Sequence, residues 1–295
     1  MENSSAQREL LKLCRPFKVI SLIGLCKSAG KTTVLTKLIH GYQREGYTPP
    51  LAITSVGQGG LLPEIRFYAG MYAATAAGLL SECDYTRRII HTTGINTPLG
   101  EVIVTEALTD GRVSLAGPSI SSQLEALCQY LLEDVGAGQV FVDGAGDRRT
   151  FAMVSGGSIL CAGAALNRDI RGAARQCAHI CRLMSLPAAA SVPEDKAQSI
   201  RGALTDQILT EITDNTDKKE KLVIAEDASK IFVSAAVLDR FLHKGGGLFV
   251  ENPANLIGIT VNPVAPTYVF DREEFFEAVR ELVDVPVFDV VNYYH

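Results

Sequence analysis

The sequence predicts an α/β protein: a mostly parallel sheet covered by helices on both faces, followed by a smaller C-terminal α/β lobe. Three observations lead there. Short apolar runs of strand length, such as Val19–Ile23 and Val140–Val142, alternate along the chain with longer stretches of helical period. Strands that alternate with helices pair in parallel, because each crossover helix must pack back onto the sheet. A charged, loop-like stretch from Asp214 to Lys221 then divides the chain, giving expected segments 1–213 and 222–295, the second of which can also continue the same sheet.

Each element follows from local chemistry. Residues 18–23 read as a buried strand and 32–44 as its crossover helix, with Val34, Leu35, Leu38 and Ile39 on one face. Leu51–Ser55 reads as a second strand, closed by the flexible turn Gly57-Gln58-Gly59-Gly60. The alanine-rich stretch from Tyr68 to Leu80 is expected to be helical in part. Glu101–Ala107 and Arg112–Ala116 flank Thr109-Asp110-Gly111, and Asp-Gly between such runs predicts a hairpin. Residues 121–134 form a helical pattern, with Leu124, Leu127, Cys128, Leu131 and Leu132 on one side. Gln139–Asp143 is a buried strand ending in a carboxylate, Ser158–Cys161 another short strand, and 170–184 a helix. Past the charged stretch come a strand, a helix (235–243), Gly245-Gly246-Gly247, strands at 248–251 and 257–261, a helix (272–283) and a last strand (286–290).

Composition narrows the function classes. At 47% hydrophobic and 21% charged residues the chain is an ordinary globular protein. A net charge of −5 gives no basic field to attract nucleic acid. No apolar stretch reaches membrane-spanning length, and the first residues lack the apolar core of a signal peptide, so a cytoplasmic protein is expected. Seven cysteines without a framework spacing fit reduced thiols better than disulfides.

The strand at 18–23 runs into Gly24-Leu25-Cys26-Lys27-Ser28-Ala29-Gly30-Lys31-Thr32-Thr33, and a helix follows at once. This is the strand–loop–helix setting of a phosphate-binding loop. Backbone N–H groups of Gly24, Cys26, Lys27, Ser28, Ala29 and Gly30 would cradle phosphate oxygens, favoured by the positive end of the helix. Lys31 would reach the outer phosphates, the Thr32 hydroxyl would ligate magnesium, and Thr33 would join the nucleotide-binding residues. The glycine at the strand end sits one residue earlier than the usual spacing, with Leu25 in its place. Asp143 ends a buried strand, where such proteins hold magnesium directly or through water; the alternative is an aspartate that caps a turn. The glycines of Gly144-Ala145-Gly146-Asp147 would let the backbone pass close to a γ-phosphate.

Other residues leave two readings open. Lys27 is either a second phosphate-neutralising lysine with a catalytic role or a solvated one. Cys26 is either an activated thiol at a helix N-terminus or a small residue that fits beside phosphate. Cys177 and Cys181 share a helix face, as half of a metal site or as core. Thr93–Glu101 is a candidate lining for a partner or substrate site, or a connector. Asn262, after the strand at 257–261, lies near an adenine, in an interface of the second lobe, or in an Asn-Pro turn.

The loop and Val142-Asp143-Gly144-Ala145-Gly146 together resemble the dethiobiotin synthetase-like branch of P-loop NTPases. That branch implies a doubly wound sheet, tolerance of the longer glycine spacing, and often a homodimer. Its members with a signature loop lysine carry it at the position of Cys26. Further stretches extend the resemblance over most of the chain: Ile53-Thr54-Ser55-Val56-Gly57, Thr93-Gly94-Ile95-Asn96-Thr97-Pro98-Leu99-Gly100-Glu101-Val102, Leu115-Ala116-Gly117-Pro118-Ser119, Val142–Arg149 and Val261-Asn262-Pro263. In these the chain resembles the P-loop ATPase subunit of the lysine 5,6-aminomutase reactivases. The resemblance implies ATP and Mg2+ as cofactors. It also implies two protein partners: an aminomutase that uses adenosylcobalamin and pyridoxal phosphate, and a second reactivase subunit. ATP hydrolysis would then release inactivated cobalamin from the mutase. No Asp-x-His-x-x-Gly cobalamin-ligand motif is present, so the chain is not expected to carry that cofactor. The alternative is a dethiobiotin synthetase-like ligase or kinase acting on a small molecule, with Lys27, Arg148 and Arg149 as its basic groups.

Overall fold

The computed structural model describes residues 2–47, 49–57, 65–144, 156–193, 197–214 and 221–289. Within them the chain is an α/β protein with a large, mostly parallel nine-stranded sheet and small accessory sheets. The expected turn residues Gln58–Gly60, the stretch Ala145–Arg149 and most of the charged divider (215–220) lie outside the described residues.

The large sheet contains β1 (Val19–Gly24), β2 (Leu51–Ser55), β4 (Tyr72–Ala76), β5 (Arg87–Thr97), β6 (Gly100–Ala107), β8 (Gln139–Asp143), β9 (Gly157–Gly163), β15 (Leu256–Asn262) and β16 (Val287–Asp289). Their spatial order is β16-β15-β9-β1-β8-β2-β4-β6-β5. β1 pairs in parallel with β8 and β9, β2 with β8 and β4, and β15 with β16, while β4–β6 and β5–β6 are antiparallel. A two-stranded antiparallel ribbon, β3 (Ile65–Phe67) with β7 (Gly111–Val113), stands apart from this sheet.

Strand periodicity sends alternate residues of the central strands into two cores. Ile20, Leu22, Leu51, Ile53 and Phe141 join the core of α1 (Glu2–Cys14) and α2 (Lys31–Arg44). Val19, Ala52, Val140 and Val142 join the core of α3 (Ser121–Glu133). Strands with a core on either side read as continuous apolar runs, which is why they were legible in the sequence. α1 packs closely on α2 at Gly41, where an added Cβ would lie 2.6 Å from Leu11. Among the described residues no helix is long and apolar enough to cross a membrane.

The chain divides into two compact units, residues 1–177 with 257–295, and residues 178–256. The division differs from the expected one at 214–221. β15 and β16 hydrogen-bond within the large sheet, so the end of the chain belongs to the first unit, and Asp214 falls inside the second. α4 (Ile170–Met184) contains the first point of division. The second unit holds β10 (Ala197–Ile200), β12 (Lys221–Asp227) and β14 (Gly246–Asn252) in a parallel sheet, with β11 (Leu204–Thr205) pairing β13 (Ile231–Phe232). Its core gathers Leu209 of α5 (Asp206–Asp214) and Leu238 and Phe241 of α6 (Ala235–His243) on Val223 and Leu248. The last helix, α7 (Arg272–Arg280), follows β15 and precedes β16.

One local expectation is met in part and two are corrected. The alanine-rich stretch forms β4 and then a 3-10 helix (Ala77–Glu82), so only its end is helical. Strand neighbours on both sides and the buried bonds of Thr75, which donates to Ser114 O and accepts from Ala116 N, outweigh alanine's helical propensity. Asp110-Gly111 does not turn a hairpin from β6, because β7 pairs with β3 and Asp110 accepts from Ala69 N. The hairpin that does form joins β5 to β6 at Pro98-Leu99, with Gly100 in the left-handed region (φ 101°). Thr93–Glu101 is therefore two paired strand ends and their turn, not a long loop.

Candidate functional site

The site starts at the C-terminal end of β1, flanked on one side by β8 and on the other by β9. Register places Leu22 beside Asp143 and Gly24 beside Cys161, so the ends of all three strands converge. Leu25 N donates to Cys161 O at 3.0 Å, which turns the chain out of the sheet. The loop then reaches Gly30, the N-cap of α2, with φ 91°. Its N-cap, a glycine, brings no side-chain cap, and the helix's own first turn has no acidic residue, so the helix itself does not offset its positive end.

Lys31 folds back over the end of β1. A Cβ at Gly24 would lie 2.7 Å from Lys31 Nζ and 3.1 Å from its Cδ, so a side chain there would push the flexible lysine out of this position. The glycine that departs from the usual spacing thus makes space for the ammonium group. Ser28 adopts φ 61° and is the one non-glycine residue with positive φ among the described residues. Left-handed backbone at such a residue costs about 1 kcal/mol and persists only where its surroundings hold it. Two contacts do so. Asn262 Nδ2 donates to Ser28 O at 2.9 Å, and Gly163 lets the loop approach β9 so closely that a Cβ there would lie 2.9 Å from Ala29 Cα.

Asp143 lies beside this loop. Its backbone is pinned, with Val56 N donating to its carbonyl at 2.9 Å and Gly144 N to Leu22 O at 3.0 Å. A Cβ at Gly144 would stand 2.5 Å from Leu22 O, so a glycine is required at this close approach. The Asp143 Oδ1 atom is buried without a hydrogen-bond partner. Burial pushes the carboxyl up to about 6, and the nearby Lys31 charge opposes that rise. A buried carboxylate oxygen without a donor, close to a lysine at an uncapped helix start, fits a divalent cation and an anionic ligand.

Of the sequence candidates, Gly24, Cys26, Ser28, Ala29, Gly30, Lys31, Thr32, Thr33, Asp143 and Asn262 come together at this corner. Lys27 is exposed on the loop. Cys26 Sγ points to Gly163 O at 3.8 Å, and burial raises its pKa, which favours the small packing residue over an activated thiol. Asn262 uses both ends of its amide, since Oδ1 also accepts from Val264 N at 3.1 Å. It latches the loop through an Asx-type turn, and a base contact would have to replace one of these bonds. Cys177 and Cys181 are buried, and no group of three or more metal-ligating side chains occurs among the described residues. Sequence reasoning missed β9 as the loop's support; the small residues at its end, Cys161-Ala162-Gly163, were the available signal.

Beside α2 lies a cavity of about 770 Å³. It reaches from Thr32 and Thr33 at the start of the helix to Arg44 at its end, and Arg66 and Arg112 of the β3–β7 ribbon line it as well. No family model matches the chain, and no curated protein or solved structure matches it either.

Proposed function

We propose that the chain binds ATP with magnesium through residues 24–33 and hydrolyses it as the P-loop subunit of a reactivase for an adenosylcobalamin-dependent lysine 5,6-aminomutase. On this reading the large sheet is a doubly wound sheet of the P-loop NTPase type. One observation carries the nucleotide assignment: Lys31 folded over Gly24, beside the unpartnered Oδ1 of Asp143. Phosphoryl transfer asks little covalent chemistry of a protein, so the task of these residues is positioning and charge. Lys31 takes the outer phosphates, and loop N–H groups hold the rest. Thr32 and Asp143 would hold the magnesium ion, which supplies charge neutralisation on the phosphate oxygens. Asn262 keeps the loop in its left-handed turn at Ser28.

The partner assignment rests on the motif resemblance. For hydrolysis to do work, ATP and ADP must favour different conformations of a segment that the partner reads. Gly57 and Gly144, which follow β2 and β8, stand at the same end of the sheet as the loop. The test is to incubate cobalamin-inactivated aminomutase with this protein, the second subunit, ATP, magnesium and fresh adenosylcobalamin. Mutase activity is expected to return, with slow basal ATPase accelerated by the inactivated enzyme.

The cavity beside α2 favours a second reading, a dethiobiotin synthetase-like ligase or kinase, because it gives a small molecule a place next to Thr32 and Thr33. ATP-dependent modification of a small acid or amine, with no return of mutase activity, would select that reading.

A further inference from the structure

The cavity has a charge pattern that nucleotide binding does not use. Its helical wall is one stripe of α2, with Thr32, Thr36, His40 and Arg44 at intervals of four. The facing wall is the β3–β7 ribbon, where Arg66 and Arg112 are cross-strand partners. Two like charges placed opposite each other destabilise a ribbon unless something offsets them. Arg112 is offset by Asp84, which accepts from its backbone N–H and from Nε at 2.9 Å. Arg66 leans over the Tyr68 ring at 5.8 Å, and the Tyr68 hydroxyl lies 3.1 Å from His40 Nδ1, so both walls meet at this tyrosine. The other acid in the lining, Asp110, is engaged by Ala69 N. With Arg44 added, the lining holds three arginines and the partly neutralised Lys37 against two carboxylates.

We propose that this cavity binds a small phosphorylated molecule, with Arg44 and Arg66 taking the phosphate and the Thr36 hydroxyl of α2, outside the nucleotide loop, taking its polar body. The guanidinium fork matches phosphate oxygens in pairs, which favours a phosphate over a single-point anion. The volume suits a metabolite-sized ligand rather than a lone ion. Burial holds the Lys37 ammonium down at about 7 against the pull of Asp289, and an added anion would favour its charged form. The site is separate from the role of Lys31 and stands whether or not the loop takes ATP.

The test uses inorganic phosphate as probe. Calorimetric titration is run on protein saturated with magnesium and a non-hydrolysable ATP analogue, and again on the Lys31→Ala protein without nucleotide. Phosphate is expected to bind at one site in both. Arg44→Ala and Arg66→Ala should each weaken it roughly tenfold or more, as for loss of a charge-assisted bond, with analogue affinity and melting temperature unchanged. Failure of the analogue to bind would count against the nucleotide reading alone, since the second titration still reads the cavity. No phosphate binding in either titration, or binding indifferent to both arginines, would overturn the proposal. Tighter binding of succinate than of phosphate would overturn it too, by making the site a carboxylate site.

Discussion

β1 and β8 are buried from end to end apart from Asp143, whereas β5, on the far edge of the same sheet, has no buried residue. The parallel strands have a core on each face and are linked by crossovers, so their C-terminal ends deliver loops and helix starts to one rim of the sheet. Gly24, Asp143 and Gly163 all stand on that rim. The antiparallel edge is linked by a hairpin, delivers no helix start, and presents an 11-residue strand broken by register shifts between Ile89 and His91 and between Thr92 and Asn96. Such irregularities, with Arg87 and Arg88 on the strand, hinder edge-to-edge pairing with another chain. One half of the sheet thus gathers loops and a helix start at its rim, and the other half ends in a hairpin edge.

The comparison can be broken at several points. The largest expected effect is at the rim: Lys31→Ala should reduce ATPase by two to three orders of magnitude, roughly the loss seen when one transition-state donor is removed, with the fold intact by circular dichroism. Equal ATP affinity in wild type and variant would show that the rim does not bind nucleotide. Next is the core beneath it. Phe141→Ala should cost about 3–5 kcal/mol in urea unfolding, because a fully buried ring leaves a cavity between packed layers.

Asp143 sharpens the comparison through pH. Its folded pKa of about 6 lies above the ordinary carboxylate value, so the folded state binds more protons than the unfolded state between about pH 4 and 6. Its contribution to stability is therefore complete below that window and is lost as pH rises through 6. Asp143→Asn should abolish this dependence and stabilise the ligand-free protein at pH 7 by on the order of 2 kcal/mol, while magnesium-dependent turnover disappears. A variant that melts at the wild-type temperature at pH 7 and still turns over with magnesium would remove Asp143 from the site.

Smaller effects follow. Asn262→Ala removes the latch on Ser28 and should weaken nucleotide binding several-fold, with about 1 kcal/mol lost in stability. At the edge, Ile89 is 61% exposed, and Ile89→Ala should change stability by less than about 0.5 kcal/mol in the same urea experiment. A large loss there would mean that the edge is covered by a partner, as in a homodimer.

The amino-acid sequence alone determined the central strands and their crossover helices. Residues buried on both faces must be apolar without interruption, and helices packed on them must repeat near every 3.6 residues; both patterns are local. It also determined the loop and the carboxylate-ended strand, because a tight turn into a helix demands glycines at set places. What the local pattern could not decide was pairing. Whether Tyr72–Ala76 is helix or strand depends on β2 and β6, which are distant in sequence, and Gly111 turns no hairpin because Ile65–Phe67 takes its strand. For the C-terminal segment, left open between a separate lobe and a continued sheet, only the tertiary structure placed β15 and β16 in the large sheet. Only it brought Asn262 to Ser28 across 234 positions and left the Asp143 oxygen buried without a donor, since burial and long-range bonds are properties of the packed chain and not of any segment within it.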